Sequence, residues 1–431
     1  MANTLKSLFI FCFSIYVALA KHEVYEGWKS YYVQPHTQEQ LKYLMSLQYE
    51  LDVDFLGRAS VNRETVVLVK PHYQEEFTRK IKEKGISTKV HVEDIVKSLR
   101  QEDEQIEKRA IELRTRNVGG FPFNNYQRLA VFDNYLEDVA RRFPDRVTLV
   151  NAANSFEGRP IKYVKISTTN FQDRRKPVIF IDGGTHAREW ISPPTVAWAI
   201  HKLVENVTEP DLLERFDWIL LPIVNPDGYE FSHTNERFWR KTRSSTSSIF
   251  CRGVDVNRNY DFFWGTSGSS SNPCADNFAG RMPFSEVETR VVRDIMNEHF
   301  SRIALYITMH SFGSMILYPW GHDGSLPPNA LLLNFVGVQM GEAIDKVALP
   351  HFWEYLVGNS VNVIGYAAAG AAEDYAHLIG IPFTYTYELP GLGSGLEAFH
   401  LDPKYIEQVC FETWEGLKAG ARTAGDLFVS S

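Results

Sequence analysis

VIFIDGGTHAREWISPP, residues 178–194, combines an apolar run, a glycine-containing turn and a helix start. The apolar residues 178–181 predict a buried β-strand. Ser192 is followed by two prolines, which predicts the first turn of a helix because proline fits the first helical positions. The turn between the two elements therefore places His186 and Glu189 just after a predicted strand.

His186 and Glu189 could offer an imidazole nitrogen and a carboxylate to one cation. Hydrolytic zinc sites commonly use two histidines and one carboxylate, and they leave the fourth position to water. The pair by itself is weak support for such a site, because a hydrogen-bonded pair on a surface loop would have the same spacing. The metal-site interpretation requires a second histidine from elsewhere in the chain.

Strand-like and helix-like segments alternate from residue 117 to residue 431. The predicted strands are Val147–Val150, Ile161–Ile166, Val178–Asp182, Trp218–Val224, Ile303–Met309 and Phe383–Tyr387. This alternation predicts an α/β fold with a mixed central sheet flanked by helices on both faces. Ligands of such sheets bind at the carboxyl ends of strands, where His186, His310 and Glu388 would lie.

Two helix starts in this region carry recognisable caps. Ser285 and Glu288 form the sequence pattern of a capping box, which predicts a helix that ends near Phe300. Asp402 precedes a proline and is expected to cap a last helix that runs toward Ala421.

Length and charge limit the possible functions. A chain of 431 residues can bury a large core, and its length predicts more than one domain. The formal net charge is −8 at pH 7, and no dense block of lysine and arginine interrupts the sequence. Composition therefore argues against a nucleic-acid-binding function.

Residues 1–20 have the pattern of a removable signal peptide. Lys6 precedes the nearly continuous apolar stretch Leu8–Ala20, whose Ala-Leu-Ala end fits a cleavage site. The stretch is too short to span a bilayer comfortably, and no other apolar run is long enough. The mature protein is therefore expected to be secreted and extracellular, with no membrane partner.

Residues 21–116 predict a small α+β unit that ends in a charged helix. The segments with helical or strand-like periodicity are Gln38–Leu51, Ser60–Val69, His72–Lys84, Thr88–Val92 and Glu93–Arg116. Arg114 and Arg116 precede Asn117-Val118-Gly119-Gly120, which predicts a cleavage site for a trypsin-like protease between two folded units. An ordinary interdomain linker is the alternative.

Three cysteines remain once the predicted signal peptide is removed. In an oxidising compartment, a disulfide between Cys251 and Cys274 would close a short loop and add about 3 kcal/mol of stability. Two free thiols are the alternative. Cys410 lies in an amphipathic segment and is expected to be a buried apolar residue. Asn206 begins a glycosylation sequon.

Four motifs resemble those of zinc metallocarboxypeptidases of the A/B type. They are His186–Trp190, Asp255–Asn259, Ile307–Ser311 and Thr386–Leu389, in the order and spacing of that family. The resemblance extends from about Tyr126 to the C-terminus, and the preceding segment resembles the family's activation propeptide. It implies a signal peptide at 1–20, a propeptide with a connecting helix at 21–116, and a catalytic domain at 117–431.

The resemblance also implies the roles of the reactive residues. One Zn²⁺ per chain would be held by His186, Glu189 and His310. Glu388 matches the general base that takes a proton from water, and Arg240 matches the cation that stabilises the developing oxyanion. The alternatives are a hydrogen-bonded histidine at a strand end for His310 and a buried structural glutamate for Glu388.

Four further residues match groups that bind the substrate in this family. Asn257 and Arg258 correspond to the residues that hold the free terminal carboxylate, because a guanidinium fork fits a carboxylate. Tyr366 corresponds to a mobile tyrosine that hydrogen-bonds the same terminus, and Arg188 to a further substrate-binding arginine. Anchoring the carboxylate beside the metal would let only the last peptide bond react.

Glu373 occupies the position at the floor of the side-chain pocket that sets preference in the family. An aliphatic residue there accompanies apolar C-terminal side chains, and an aspartate accompanies Lys and Arg. A negative charge in a narrow pocket requires a cation, which favours C-terminal Lys or Arg. An apolar or mixed preference stays open, because Val361, Ala368 and Thr386 would keep the pocket small or apolar. Glu373 could also turn away from the pocket and leave its neighbour Asp374 in a structural role.

The sequence thus predicts a secreted, zinc-dependent exopeptidase that is made as a zymogen. Its expected partners are the C-termini of peptides and proteins and an activating trypsin-like protease, and the expected state is a monomer. The alternatives are a secreted peptide-binding protein without turnover and an amidase that acts on acylated amino acids.

Overall fold

The computed structural model describes residues 21–56, 59–116, 120–391 and 399–429. The predicted signal peptide lies outside this part of the chain, as do residues 117–119 of the predicted cleavage segment. The described chain divides into two compact units. The first comprises 21–111 and Phe231–Trp239, and the second comprises 112–230, 240–391 and 399–429.

The first unit contains an antiparallel sheet of four strands in the order β2-β3-β1-β4. Its elements are β1 (Lys29–Gln34), α1 (Gln38–Glu50), β2 (Asp54–Phe55), β3 (Thr65–Val69), α2 (Gln74–Glu83), β4 (Ser87–Val92) and the start of α3 (Ile95–Arg116). The side chain of Thr37 caps α1 by accepting a hydrogen bond from the Gln40 amide. An α+β unit is therefore present where periodicity predicts one, with two more strands than expected.

The core of this unit forms where the two helices cover one face of the sheet. Leu44 and Leu47 of α1 and Phe77 of α2 are wholly buried against strand residues such as Val33 and Val67. Their spacing of three or four residues along each helix produces a continuous apolar face. The sequence periodicity of this segment thus corresponds directly to its packing.

Phe231–Trp239 belongs to the first unit although it is distant in sequence. The Phe238 amide donates a hydrogen bond of 3.0 Å to the Tyr25 hydroxyl. The wholly buried Arg237 forms an ion pair with Glu102, with 3.4 Å between Nε and Oε2. Residues 21–111 therefore hold this segment by both a polar and an ionic contact.

The second unit is built on a mixed eight-stranded sheet in the order β11-β10-β12-β9-β7-β8-β6-β5. Its strands are β5 (Val147–Asn154), β6 (Pro160–Ile166), β7 (Val178–Asp182), β8 (Asp217–Leu221), β9 (Ile303–Ser311), β10 (Met315–Tyr318), β11 (Leu356–Asn359) and β12 (Phe383–Leu389). Strands β12, β9, β7 and β8 are parallel to one another. β6 is antiparallel to both of its neighbours, β8 and β5, and β10 is antiparallel to β12 and parallel to β11.

Helices cover this sheet. They are α4 (Leu129–Arg142), α5 (Ser192–Val204), α6 (Asp211–Arg215), the first residues of α7 (Pro226–Thr234), α8 (Val287–His299), α9 (Ala330–Asp345), α10 (Ser360–Ile364), α11 (Ala372–Leu378) and α12 (Ile406–Val429). The predicted α/β fold with a mixed sheet and flanking helices is confirmed. Among the described residues, no helix is both long enough and apolar enough to cross a membrane.

Both faces of the central strands are packed. In β9, Tyr306 belongs to a buried cluster with Val292 and Met296 of α8. The adjacent Leu305 points to the opposite face, where it would lie 3.4 Å from a Cβ placed on Gly420 of α12. Such burial on both sides explains why these strands are continuous apolar runs rather than alternating ones.

Several predicted boundaries were wrong. β8 ends at Leu221, earlier than predicted, whereas β9 and β12 continue to Ser311 and Leu389. Strands β10 and β11 were not predicted, because four-residue segments are too short for a periodic signal. The last helix begins at Ile406 and runs past Ala421 to Val429. The predicted cap residue Asp402 caps the short 3-10 turn that precedes it, by accepting a hydrogen bond of 2.9 Å from the Lys404 amide.

The predicted capping box is also wrong. Glu286 is the N-cap of α8, and no side chain caps the helix. The Ser285 hydroxyl instead donates to the Glu286 carboxylate and accepts a hydrogen bond from the Asn259 side chain. Asn259, which is distant in sequence, therefore hydrogen-bonds the Ser285 hydroxyl that the local pattern predicted as the helix cap.

Candidate metal centre

Three adjacent parallel strands bring their carboxyl ends together at one edge of the sheet. His310 lies near the end of β9, and Glu388 is its register partner on β12. On the other side of β9, Asp182 ends β7 as the register partner of Thr308. The sheet order thus brings side chains that are distant in sequence together on three adjacent strands, as the strand-end argument predicts.

The turn after β7 is held by contacts that only glycine permits. Gly184 has a φ of 61°, and an added Cβ would lie 3.0 Å from the Cα of Ile223. The Gly184 amide donates to the Ser192 hydroxyl at 3.0 Å, and the Ala187 amide donates to the Arg240 carbonyl at 3.1 Å. These bonds fix the backbone that carries the first two predicted metal ligands.

His186, Glu189 and His310 converge on one point, and all three are buried. Their ligand atoms lie within 4.8 Å of one another. The two Nδ1 atoms are 2.9 Å apart, and each lies close to one Glu189 oxygen, at 2.8 Å and 3.0 Å. Two imidazole nitrogens and a carboxylate form a donor set that suits a borderline-soft divalent cation. The residues present therefore fit a zinc ion.

Asp255 orients the first histidine. Its Oδ1 lies 3.0 Å from Nε2 of His186, and its Oδ2 accepts two hydrogen bonds from Arg240, at 3.0 Å and 2.9 Å. Burial opposes ionisation of this carboxyl, but Arg240 and His186 hold its pKa well below the usual value. Carboxylates on the distal nitrogen of a ligating histidine fix its tautomer and increase its basicity.

Sequence reasoning did not assign a role to Asp255. The residue begins the motif Asp255–Asn259, so its position was recognised but its partner was not. It links His186 to Arg240, whose Nη1 also lies 4.0 Å from the Glu189 Oε1. Arg240 is thereby held beside the proposed ligands, and its side chain remains partly exposed.

Glu388 lies on the same edge with a partly exposed side chain. Burial raises the pKa of its carboxyl to about 8, and the nearby Glu189 carboxylate adds to the rise. A bound divalent cation acts in the opposite direction. The carboxylate forms no hydrogen bond with the described residues, as expected for a group that is available to a ligand.

Asn257 and Arg258 are buried and held by backbone groups. Arg258 donates from Nε to the Gly268 carbonyl at 3.0 Å and from Nη1 to the Asn257 carbonyl at 2.8 Å. Its Nη2 makes no hydrogen bond to the described residues. The Asn257 side-chain oxygen accepts from the Ala372 amide at 2.9 Å, which connects this pair to the start of α11.

The other two predicted substrate-binding residues lie on separate segments. Tyr366 is half-buried in the loop between α10 and α11. Arg188 is buried, with its guanidinium 4.6 Å from the ring centre of Phe399 and its Nη1 3.5 Å from Asp276. Residues 392–398, part of the adjoining loop, lie outside the described residues.

Glu373 and Asp374 differ in their surroundings although they are neighbours on α11. Asp374 accepts hydrogen bonds from the backbone amides of Gly321 and His322, at 2.9 Å and 3.1 Å. Glu373 is 5% exposed, and its buried Oε2 has no hydrogen-bond partner among the described residues. Burial, with a contribution from Asp374, raises the pKa of Glu373 to about 7. Contacts of Glu373 with the Thr386 side chain and with its own backbone offset only part of this rise. Asp374 is thus structural, and Oε2 of Glu373 has no hydrogen-bond partner among the described residues.

The predicted disulfide between Cys251 and Cys274 is present, with the Cα atoms 5.0 Å apart. Cys410 is a free and buried cysteine of α12, as its amphipathic setting predicts. The disulfide closes a loop that begins shortly after Arg240 and encloses Asp255–Asn259. It therefore restrains the segment that carries Asn257 and Arg258.

The sequence matches two known families. Residues 132–416 match the zinc carboxypeptidase family, and residues 31–102 match the carboxypeptidase activation peptide. The chain is 61% identical over 416 residues to carboxypeptidase B of Helicoverpa zea, covering 96% of this chain and 97% of that protein. It is 36% identical over 403 residues to carboxypeptidase A2 of Mus musculus, covering 92% and 93%.

The fold also matches a solved structure. The crystal structure of carboxypeptidase A from Helicoverpa armigera superposes with a TM-score of 0.88 at 44% sequence identity, covering 94% of this chain and 99% of that chain. The family matches of both parts of the sequence agree with this structural likeness. They also agree with the convergence of two histidines and a glutamate on one point. The chain belongs to the zinc carboxypeptidases and carries their activation peptide, so it is the zymogen of a metallopeptidase.

Proposed function

We propose that this zymogen, once activated, releases single C-terminal Lys or Arg residues from peptides and proteins. The preference is carried by one observation: Glu373 is a buried carboxyl whose Oε2 has no hydrogen-bond partner among the described residues. An unpartnered buried carboxylate is costly, and a cation satisfies it better than an apolar group does. A Lys or Arg side chain would supply that cation.

In this proposal His186, Glu189 and His310 hold the zinc. When bound, the ion would polarise the scissile carbonyl and lower the pKa of water. Glu388 accepts the proton of the attacking water and passes it to the departing amine. Arg240, held by Asp255, donates hydrogen bonds to the developing oxyanion of the substrate.

Substrate is positioned by the terminal carboxylate and the last side chain together. Nη2 of Arg258 and the side-chain amide of Asn257 bind the carboxylate, and Tyr366 adds a hydrogen bond. Because Asn257 is bonded to the amide that precedes Glu373, the carboxylate site and the pocket floor are held at a fixed separation. This arrangement supports action at the last peptide bond only. Arg188 would contact residues further from the terminus.

The activated protein should be incubated with matched peptides that end in Lys, Arg, Phe and Glu. Lys and Arg are expected to be released faster than Phe, and Glu more slowly than all others, because like charges repel in a buried pocket. Chromatography of the released amino acids measures this order. Faster release of Phe than of Lys and Arg would reject the preference alone, and no release from any zinc-loaded sample would reject the activity.

The preference is expected to depend on pH through Glu373. Its pKa of about 7 exceeds the usual 4.5, so the carboxyl is mostly neutral below pH 7 and charged above it. The ratio of kcat/KM for a Lys-ending peptide to that for a Leu-ending peptide should therefore rise about tenfold between about pH 6 and pH 8. Taking the ratio cancels the titration of groups that act on both substrates.

Glu373→Gln provides the control for this measurement, because the amide does not titrate. The ratio should become independent of pH in that variant. A rise of the same size in Glu373→Gln would contradict the assignment of the titrating group.

We also propose that the protein is secreted through residues 1–20 and acts as a monomer. A trypsin-like protease would release residues 21–116 by cutting at Arg114 or Arg116, and residues 117–431 would form the enzyme. The family match of residues 31–102 to an activation peptide supports this division. Helix α3 runs to Arg116, so the proposed site lies at a helix end, where fraying gives a protease access.

A further inference from the structure

His310 has a second set of contacts on the side away from the other two metal ligands. Its Nε2 lies 3.2 Å from the Thr308 hydroxyl. Thr308 donates to Oδ1 of Asp182 at 2.7 Å, and Tyr306 donates to Oδ2 of the same carboxylate at 2.7 Å. All four side chains are buried. They form a continuous chain of hydrogen bonds that ends on one carboxylate.

The direction of each hydrogen bond follows from the donors available. Nδ1 of His310 faces His186 and Glu189, so in a metal-ligating imidazole the proton must lie on Nε2. Nε2 therefore donates to the Thr308 oxygen. The single hydroxyl proton of Thr308 then goes to Asp182, whose other oxygen already accepts from Tyr306.

The sheet fixes this chain in place. Thr308 and Asp182 are register partners on the parallel strands β9 and β7. Tyr306, Thr308 and His310 alternate along β9 and so share one face. The lengths of the hydrogen bonds are therefore set by backbone pairing in the interior of the sheet and not by a loop.

We propose that Thr308 and Asp182 are positioning residues for His310. They hold its ring orientation and its tautomer, as Asp255 does for His186, but with a hydroxyl between the carboxylate and the imidazole. The inference rests on the proposed role of His310 as a zinc ligand. Contacts of this kind typically change metal affinity or activity by about 10- to 100-fold.

The variant Thr308→Val tests the proposal, because valine has the shape of threonine and lacks the hydroxyl. Thr384→Val is the matched control. Thr384 is wholly buried on the adjacent strand β12, opposite Tyr306, and its hydroxyl has no partner among the described residues. Thr308→Ser restores the hydroxyl and serves as the conservative variant.

The zinc dissociation constant of the full chain should be measured by competition with a chromophoric chelator. Thr308→Val is expected to bind zinc about 10- to 100-fold more weakly than the parent, and Thr308→Ser and Thr384→Val within about threefold of it. Asp182→Asn should also weaken zinc binding, because its single side-chain oxygen would have to accept the hydrogen bonds of both Thr308 and Tyr306. Equal zinc affinity in Thr308→Val and Thr384→Val would overturn the proposal.

Thermal unfolding separates a positioning role from a merely structural one. Without metal, Thr308→Val should unfold at a lower temperature than Thr384→Val, because it takes a hydrogen-bond donor from Asp182, whereas the Thr384 hydroxyl has no partner among the described residues. The informative quantity is therefore the rise in Tm that zinc adds to each variant. With zinc, the rise in Tm should be smaller for Thr308→Val, because the stabilisation by a ligand follows its affinity. An equal rise in both variants would also overturn the proposal. If the parent chain itself bound no zinc, the ligand assignment of His310 would fail, and the proposal with it.

Discussion

Replacing Glu388 by glutamine is expected to lower kcat by about 10³-fold or more while one zinc per chain is retained. The amide has the size of the carboxyl but cannot take a proton from water. The Glu388 side chain makes no hydrogen bond with the described residues, so its replacement breaks none among them. Because the substrate is held by other groups, KM should change much less than kcat.

Glu288→Gln is a suitable control for this experiment. Glu288 is a buried carboxyl of α8 whose pKa burial raises to about 8, the same value as that of Glu388. Both variants therefore exchange a carboxyl for an amide of the same size. Glu288→Gln should retain full activity, because Glu288 is not among the residues that converge on the proposed metal site.

Steady-state kinetics on the activated enzyme, with zinc measured by atomic absorption, would check the expected loss. A Glu388→Gln variant that keeps more than a tenth of the parental kcat at full zinc content would exclude this residue as the principal base. Loss of both zinc and activity would instead show that the carboxylate supports the metal.

The second large effect is expected at Glu373. Its replacement by isoleucine should reduce kcat/KM for Lys- and Arg-ending peptides by about 10³-fold, because a buried cation would lose its counter-charge. Release of apolar C-terminal residues should increase at the same time. The same change removes an unsatisfied buried carboxyl, so the free energy of unfolding of the variant should not fall.

Two further variants separate charge from shape at this position. Glu373→Gln keeps the length and removes the charge, and it should lose most of the preference for cationic side chains. Glu373→Asp keeps the charge and should retain the preference. If Glu373→Ile continued to release Lys faster than Leu, the cation would have to be bound by another group, and the proposed specificity would be wrong.

Features with a local physical cause could be read from the sequence. Burial on both faces makes the central strands continuous apolar runs, and the spacing of His186 and Glu189 lies within one turn. The approximate positions of β7 and β9 and the fold class were predicted for this reason. The predicted boundaries of β8 and α12 were wrong because the end of an element depends on tertiary packing against its last residues, which the local sequence does not show.

The position of Glu373 illustrates what a sequence leaves open. Two adjacent carboxylates, Glu373 and Asp374, have the same local chemistry, and either could face the pocket. The structure separates them, because two backbone amides bind Asp374 and no described group binds Oε2 of Glu373. The difference between the two carboxylates therefore comes from residues that are distant in sequence, and the local sequence does not reveal it.

The amino-acid order alone predicted the α/β class from its periodicity, the resemblance of its motifs supplied the candidate ligands, and a disulfide between Cys251 and Cys274 was one of two possibilities. Tertiary structure decided that Asp255 bonds His186 and that Asp182 reaches His310 through Thr308. Those contacts join residues from different strands and loops. Hydrogen bonds act over about 3 Å in space, and separation along the chain does not reveal which groups approach so closely.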